Sequence, residues 1–142
     1  MSNTGFAPFT TTIDKTNRIL HEIETELGWP REHRNQSYAA LRGVLHAVRD
    51  RLTVEETAQL GAQLPMLVRG IYYEGWDPTR TPVRMHLDEF LQRIRQEFPY
   101  DVPGGIEAVV RTVLGTLRQH VSEGEWADVK SAMPKDLATI LP

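Results

Sequence analysis

The chain has no cysteine among its 142 residues. Disulfides, thiolate-bound metals and cysteine nucleophiles are therefore excluded. Lysine is nearly as scarce: Lys15, Lys130 and Lys135 are the only lysines among sixteen basic residues. Positive charge is not in excess either. The net charge is -3, and dividing the chain at Tyr73 leaves eight basic and eight acidic residues before it, eight and eleven after. Neither part has the cationic surplus by which phosphate-dominated binders hold nucleic acid, so nucleic acid is not an expected partner. No apolar run reaches the length of a membrane span, and MSNTGFAPFTTT lacks the basic start and apolar stretch of a secretory signal. The expected setting is the cytoplasm, without membrane contact. The length suits one compact unit, or two small subdomains sharing a core.

Catalytic signatures are missing too. There is no G-x-S-x-G elbow, no P-loop and no G-x-G-x-x-G after a strand. Ser2, Ser37, Ser122 and Ser131 have no evident histidine and acid partners. The five histidines do not form a metal motif. His21-Glu22 is followed by Thr25 where a zincin needs its second histidine, and His21-x-x-Glu24 and His86-x-x-Glu89 reverse the di-iron order. His46 with Asp50, one helical turn apart, is a candidate metal pair. The expectation is no catalytic residue, no metal and no cofactor.

What is present is a repeat. Residues 40 to 72 pair without a gap with residues 109 to 141, each with the one 69 positions later. Arg42/Arg111, Val44/Val113, Leu45/Leu114, Arg49/Arg118, Glu56/Glu125, Ala58/Ala127, Pro65/Pro134 and Ile71/Ile140 are identical. Upstream, ILHEIETEL matches FLQRIRQEF at an offset of 71, so Leu20, Ile23 and Leu27 pair with Leu91, Ile94 and Phe98. Tandem copies of one supersecondary unit account for this.

Each copy reads as four helices. The first spans about 13–27 and about 85–98. The second carries the stripe Leu41, Val44, Leu45, Val48 and Leu52, repeated as Val110, Val113, Leu114, Leu117 and Val121. Such a face demands cover, which the equivalent helices of both copies supply. Thr53-x-x-Glu56 and Ser122-x-x-Glu125 are capping boxes opening the third helix. Pro65 and Pro134 end it and begin the fourth. The expected fold is all-α: two tandem four-helix units, about eight helices, packed with a pseudo-two-fold relation. The expected organisation is a flexible arm over residues 1–11, a first repeat over 12–73, a linker over 74–84 and a second repeat over 85–142.

The run LRGVLHAVRDRLTVEETAQLGAQLPMLVRGIYYEGW, together with the later FLQRI and GEWADVKSAMP, resembles a bacterial family known as domain of unknown function 2267. The resemblance covers nearly all of the chain after the arm. It implies the helical fold and a bacterial cytoplasmic setting, and brings no activity, cofactor or catalytic residue.

Two groups of residues are candidate binding residues. Arg42 and Arg49 lie seven apart on one helix line and recur as Arg111 and Arg118. Read structurally, their stems pack beside the apolar stripe while Glu56 and Glu125 receive the guanidinium groups. Read functionally, they clamp an anion. Tyr72, Tyr73, Glu74 and Trp76 form the end of the fourth helix and the start of the linker, with Trp29 at the end of the first helix of the same copy. Such aromatics either seal a core or anchor a protein partner or homodimer. TVEETAQLGAQLPMLVRG also has the outline of a helix-turn-helix, but Glu56, Ala58 and Gly61 are one residue too close and the supposed recognition helix is apolar. The functional expectation is a non-catalytic interaction or scaffold module. A small-molecule or anion-binding protein, possibly an enzyme, is the alternative, and helix-turn-helix DNA binding the third.

Overall fold

Pro8 sits in the first turn of helix α1 (Ala7–Leu27), where its missing N–H has no intrahelical partner to lose. Gly28 ends the helix with a left-handed φ of 70°, and the N–H groups of Gly28 and Trp29 bond the carbonyls of Thr25 and Glu24. This start lies inside the expected arm. Residues 7–11 are helical, because the Phe6 carbonyl accepts from both Phe9 and Thr10 and sets the first turn. The computed structural model describes residues 5–142; residues 1–4 of the expected arm lie outside the described residues.

Seven further α-helices follow: α2 (Arg34–Arg51), α3 (Val54–Gly61), α4 (Met66–Tyr73), α5 (Leu87–Arg95), α6 (Gly105–Arg118), α7 (Glu123–Ala132) and α8 (Lys135–Ala138). Short 3-10 turns occupy Arg31–His33 and Pro78–Arg80, and no strand occurs among the described residues. The fold is all-α.

The α3 cap is a complete capping box: Thr53 Oγ1 accepts from the Glu56 N–H at 3.1 Å, and Glu56 accepts from the Thr53 N–H at 2.9 Å. At α7 only the forward bond forms, from the Glu125 N–H to Ser122 Oγ at 3.2 Å. Pro65 and Pro134 stand at the N-caps of α4 and α8.

Helices α2 and α6 pack on each other at the centre, with the predicted stripes buried, save for half-buried Val121. Helix α1 covers α6 as well as α2, while α5 covers α2 as well as α6. The first helix of each repeat thus lies over the second helix of both. Helix α3 meets α7. One apolar core draws side chains from every helix, including Ile23, Leu45, Leu60, Val68, Phe90, Leu114, Val129 and Leu137.

The linker is anchored rather than loose. The Val83 N–H bonds the Asp50 carbonyl at 2.7 Å, and Met85 is buried. Its Thr81–Pro82 peptide is cis.

Candidate functional site

Arg42, His46, Arg49 and Asp50 project from successive turns of α2 toward α5 and the end of α4. Gly43 lets this happen. A Cβ there would stand 3.3 Å from both the Ile94 side chain and the Ile94 carbonyl, so α2 and α5 approach through the missing side chain.

Glu97 is the hub of the ionic network that results. Arg42 Nη1 lies 2.5 Å from Glu97 Oε1, Arg93 Nη1 2.7 Å from Oε2, and His46 Nδ1 within 3.0 Å of both oxygens. His46 Nε2 faces the Ile71 carbonyl at 2.7 Å. Both imidazole nitrogens thus face oxygen atoms, which fixes the ring between Glu97 and α4. Burial acts to raise the Glu97 pKa, but hydrogen bonds and charge from His46 and Arg93 outweigh it and hold the carboxyl at about 2.

Arg49 is almost fully enclosed, at 2% exposure. Its Nη1 donates to the carbonyls of Tyr72 and Glu74 at 2.9 and 2.8 Å, and its Nε to Asp50 at 2.9 Å. Asp50 also faces Arg93 at 3.3 Å. The expected pairing of Arg49 with Glu56 is therefore corrected: Glu56 turns back onto the Thr53 N–H, and the open end of α4 presents carbonyls to the guanidinium instead. Arg42 bridges Glu97 to Glu74, which it contacts at 2.8 Å.

The second copy does not reproduce this. Arg111 pairs with Glu107 in its own helix at 3.0 Å. Arg118 is exposed and its side chain makes no hydrogen bond or ion pair among the described residues, so its expected partnership with Glu125 is corrected too. The reason lies at the positions around them: His46 becomes Gly115 and Asp50 becomes Gln119. The eight candidate residues therefore separate, with Arg42, Arg49 and Glu74 in one network and Arg111 and Arg118 outside it.

The aromatics close the same junction from the α4 side. Tyr72 is fully buried and its hydroxyl donates to the Thr57 carbonyl at 3.0 Å. Burial pushes its phenol above the usual range, which keeps it a neutral donor. Tyr73 stacks edge-on against Tyr72 at 5.0 Å and lies 5.3 Å from Trp76; both Tyr73 and Trp76 are half-buried. Trp29 does not join them and stacks on Phe98 at 6.0 Å. The counterpart of Thr57 is Trp126, whose Nε1 donates to the Pro142 carbonyl at 2.7 Å. Copy one places bulk at Tyr72 opposite small Thr57, whereas copy two has bulky Trp126 and smaller Leu141.

As a metal pair, His46 and Asp50 are otherwise engaged, by Glu97 and Ile71 and by Arg49 and Arg93. A cleft of about 450 Å³ opens beside the network, lined by Arg49, Asp50, Asp77, Arg80 and Arg93. Two of its three arginines, Arg49 and Arg93, are already paired with Asp50. The cation of the supposed recognition helix, Arg69, turns back to cap α3 through the carbonyls of Gly61 and Leu64 at 2.8 and 2.9 Å.

Sequence reasoning missed a buried carboxylate, Glu24, at 2% exposure. Arg34 grips it with two parallel bonds of 3.0 and 2.8 Å, and Ser37 donates to it at 2.5 Å, tying α1 to α2. The hydrogen bond from Arg34, the largest effect, holds its pKa below the usual carboxylate range. A glutamate on the buried face of an amphipathic helix was the available signal.

No curated protein matches the chain. The family model for the uncharacterized conserved protein DUF2267 matches residues 16–140, from within α1 to just beyond α8. With nearly the whole chain matched, this protein belongs to the DUF2267 family.

Proposed function

We propose that the protein is a non-catalytic interaction module of the bacterial cytoplasm, and that it docks an acidic protein partner where α1 meets α4. One observation carries this reading. Phe6, Phe9, Met66 and Leu67 are 58, 53, 62 and 41% exposed. The bond from the Leu67 N–H to Thr12 Oγ1, 2.8 Å long, brings these two pairs to the same end of the molecule. Large apolar side chains gathered on a surface are a usual sign of a contact site. The aromatic linker is the poorer candidate, because Tyr72, Tyr73 and Trp76 are turned into the fold and Arg42 and Arg49 are spent on internal bonds.

Charge selects the partner. Met66 also lines a cleft with Lys15, Arg18 and Arg69. A second copy docked about a two-fold axis would bring cations against cations, whereas an acidic partner complements them. The tandem architecture fits the same reading. The contacts α1 with α6 and α5 with α2 exchange under the repeat, as do α1 with α4 and α5 with α8, which supports a pseudo-two-fold arrangement.

The test compares wild type, Phe9→Asp/Leu67→Asp and Lys15→Glu/Arg18→Glu as affinity baits, followed by titration of the purified partner. Support requires an acidic partner whose affinity falls in both variants and weakens with salt. Equal binding of every recovered protein by all three baits would sink the proposal, as would a wild-type dimer in sedimentation that the apolar variant abolishes.

A further inference from the structure

A cleft of about 480 Å³ lies between α1, the turn from α3 to α4 and the end of α6. Lys15 and Arg18 reach it from α1, Gln63 and Arg69 from either side of the turn, and His120 from just past α6. No aspartate or glutamate lines it. In a chain of net charge -3, this local sign is not the default.

The hydrogen-bonding directions agree with the charge. The side chains of Lys15 and Arg18 are exposed and make no hydrogen bond or ion pair among the described residues. Arg69 is pinned through Nε and Nη2 to the carbonyls of Gly61 and Leu64, leaving Nη1 without a partner among those residues. Gln63 spends its carbonyl oxygen on the Ser122 N–H at 3.0 Å, so its NH₂ is the end left over. His120 Nε2 is held by Glu22 at 2.7 Å, which fixes the ring and leaves Nδ1. The acceptors that meet the lining side chains, Gln63 Oε1 and Glu22 Oε1, are already engaged.

We propose that this cleft, where α1 of the first repeat meets the α6–α7 junction of the second, binds a phosphate group. A ligand that fits must be anionic and rich in acceptors. Phosphate brings three acceptor oxygens and a charge of roughly -1.5 to -2, against three permanent cations and the amide. Two of the donors, Arg69 and Gln63, are held in place before the ligand arrives, which lowers the ordering cost of binding. Leu64, Pro65 and Met66 supply an apolar wall for whatever carries the phosphate. The cleft between α1 and α6, of about 690 Å³, is a weaker case because Glu22 and Glu26 line it beside Arg111.

The proposal is tested on the full chain by NMR titration with inorganic phosphate and, separately, with phosphoserine, sodium chloride serving as the ionic-strength control. Saturable shifts of the Arg69 Nε–H and Gln63 NH₂ signals are expected, with affinity about ten-fold weaker in Lys15→Ala/Arg18→Ala, a loss of ~1.4 kcal/mol. Both truncated side chains are exposed and unpaired, so an unchanged melting temperature confirms that the variant is folded. Tighter binding of phosphoserine indicates a phosphate carried on a larger ligand, and equal affinity indicates the free ion. Either supports the site. Non-saturating shifts, shifts reproduced by sodium chloride, or equal affinity in the double variant would overturn it. Phe9→Ser/Leu67→Ser, which removes apolar contacts without adding charge beside the cleft, should bind phosphate like wild type, which separates this site from the apolar part of the partner surface that shares Lys15 and Arg18.

Discussion

Arg49 and Arg118 hold the same position in the repeat, yet their surroundings give them opposite weights. Removing the Arg49 side chain strands the carbonyls of Tyr72 and Glu74 and takes from Asp50 one of its two arginine partners. Arg49→Ala should therefore destabilise by ~3–5 kcal/mol, the usual cost of breaking a buried pair. At roughly 3 °C per kcal/mol for a chain of this size, the melting temperature should drop by about 10 °C. Arg118→Ala should stay within about 0.5 kcal/mol of wild type, as exposed and unpaired side chains do. Equal effects in thermal melts would contradict this account. Gly61 poses a second contest at single-residue scale. An alanine gains about 1 kcal/mol of helix propensity over glycine. Its Cβ, however, would stand 2.5 Å from Tyr73 Oη and 2.9 Å from Cζ. Overpacking of that kind costs about 1–3 kcal/mol, so steric conflict should win and Gly61→Ala should destabilise. In a Tyr73→Ala background the same change should become neutral or favourable, a coupling that a double-mutant cycle reads directly.

Among the elements, α3 and α7 begin with the same sequence device but not with the same bonds. Thr53→Ala loses the side-chain half of a reciprocal cap and should cost about 1 kcal/mol in denaturant unfolding. Ser122→Ala should cost the same or less, since the return bond from Glu125 is absent there. A larger loss at Ser122 would show that the α7 cap matters more than its geometry suggests. The helices themselves were legible in the sequence, because helix bonds link residues four apart and the apolar stripes of α2 and α6 repeat at the helical period. The start of α1 was not. Pro8 at its first turn was a signal that the polar run TTT obscured. The ending of α5 at Arg95, before Phe98, was also illegible, because Phe98 packs on Trp29 and Tyr100 outside the helix.

For the whole molecule, acid is the condition that tests the junction. The Glu97 carboxyl, held at about 2 against an ordinary value of 4.5, binds its proton less readily folded than unfolded. Its contribution is fully present above about pH 4.5 and disappears as the pH falls toward 2. Glu24 and Asp136, shifted in the same direction, add to that loss. Glu125, shifted upward by burial, opposes it. Melting temperature should accordingly fall through this window, and Glu97→Gln should flatten the slope while lowering stability at neutral pH. An unchanged slope would remove Glu97 as the hub.

By itself the sequence determined the helical class, the 69-residue repeat, the proline and threonine devices at helix starts, and the absence of thiol chemistry. These depend on neighbours within a turn or two, or on composition. Only the tertiary structure decided what the polar residues do. His46 meets Glu97 51 positions away, and His120 meets Glu22 98 positions away. Such pairs depend on the path of the backbone and on which carbonyls a helix end leaves open. The physical reason is one of range. Hydrogen bonds along a helix and side-chain volume leave a periodic trace in the chain, whereas a charge registers only its sign until folding sets the distance to its partner.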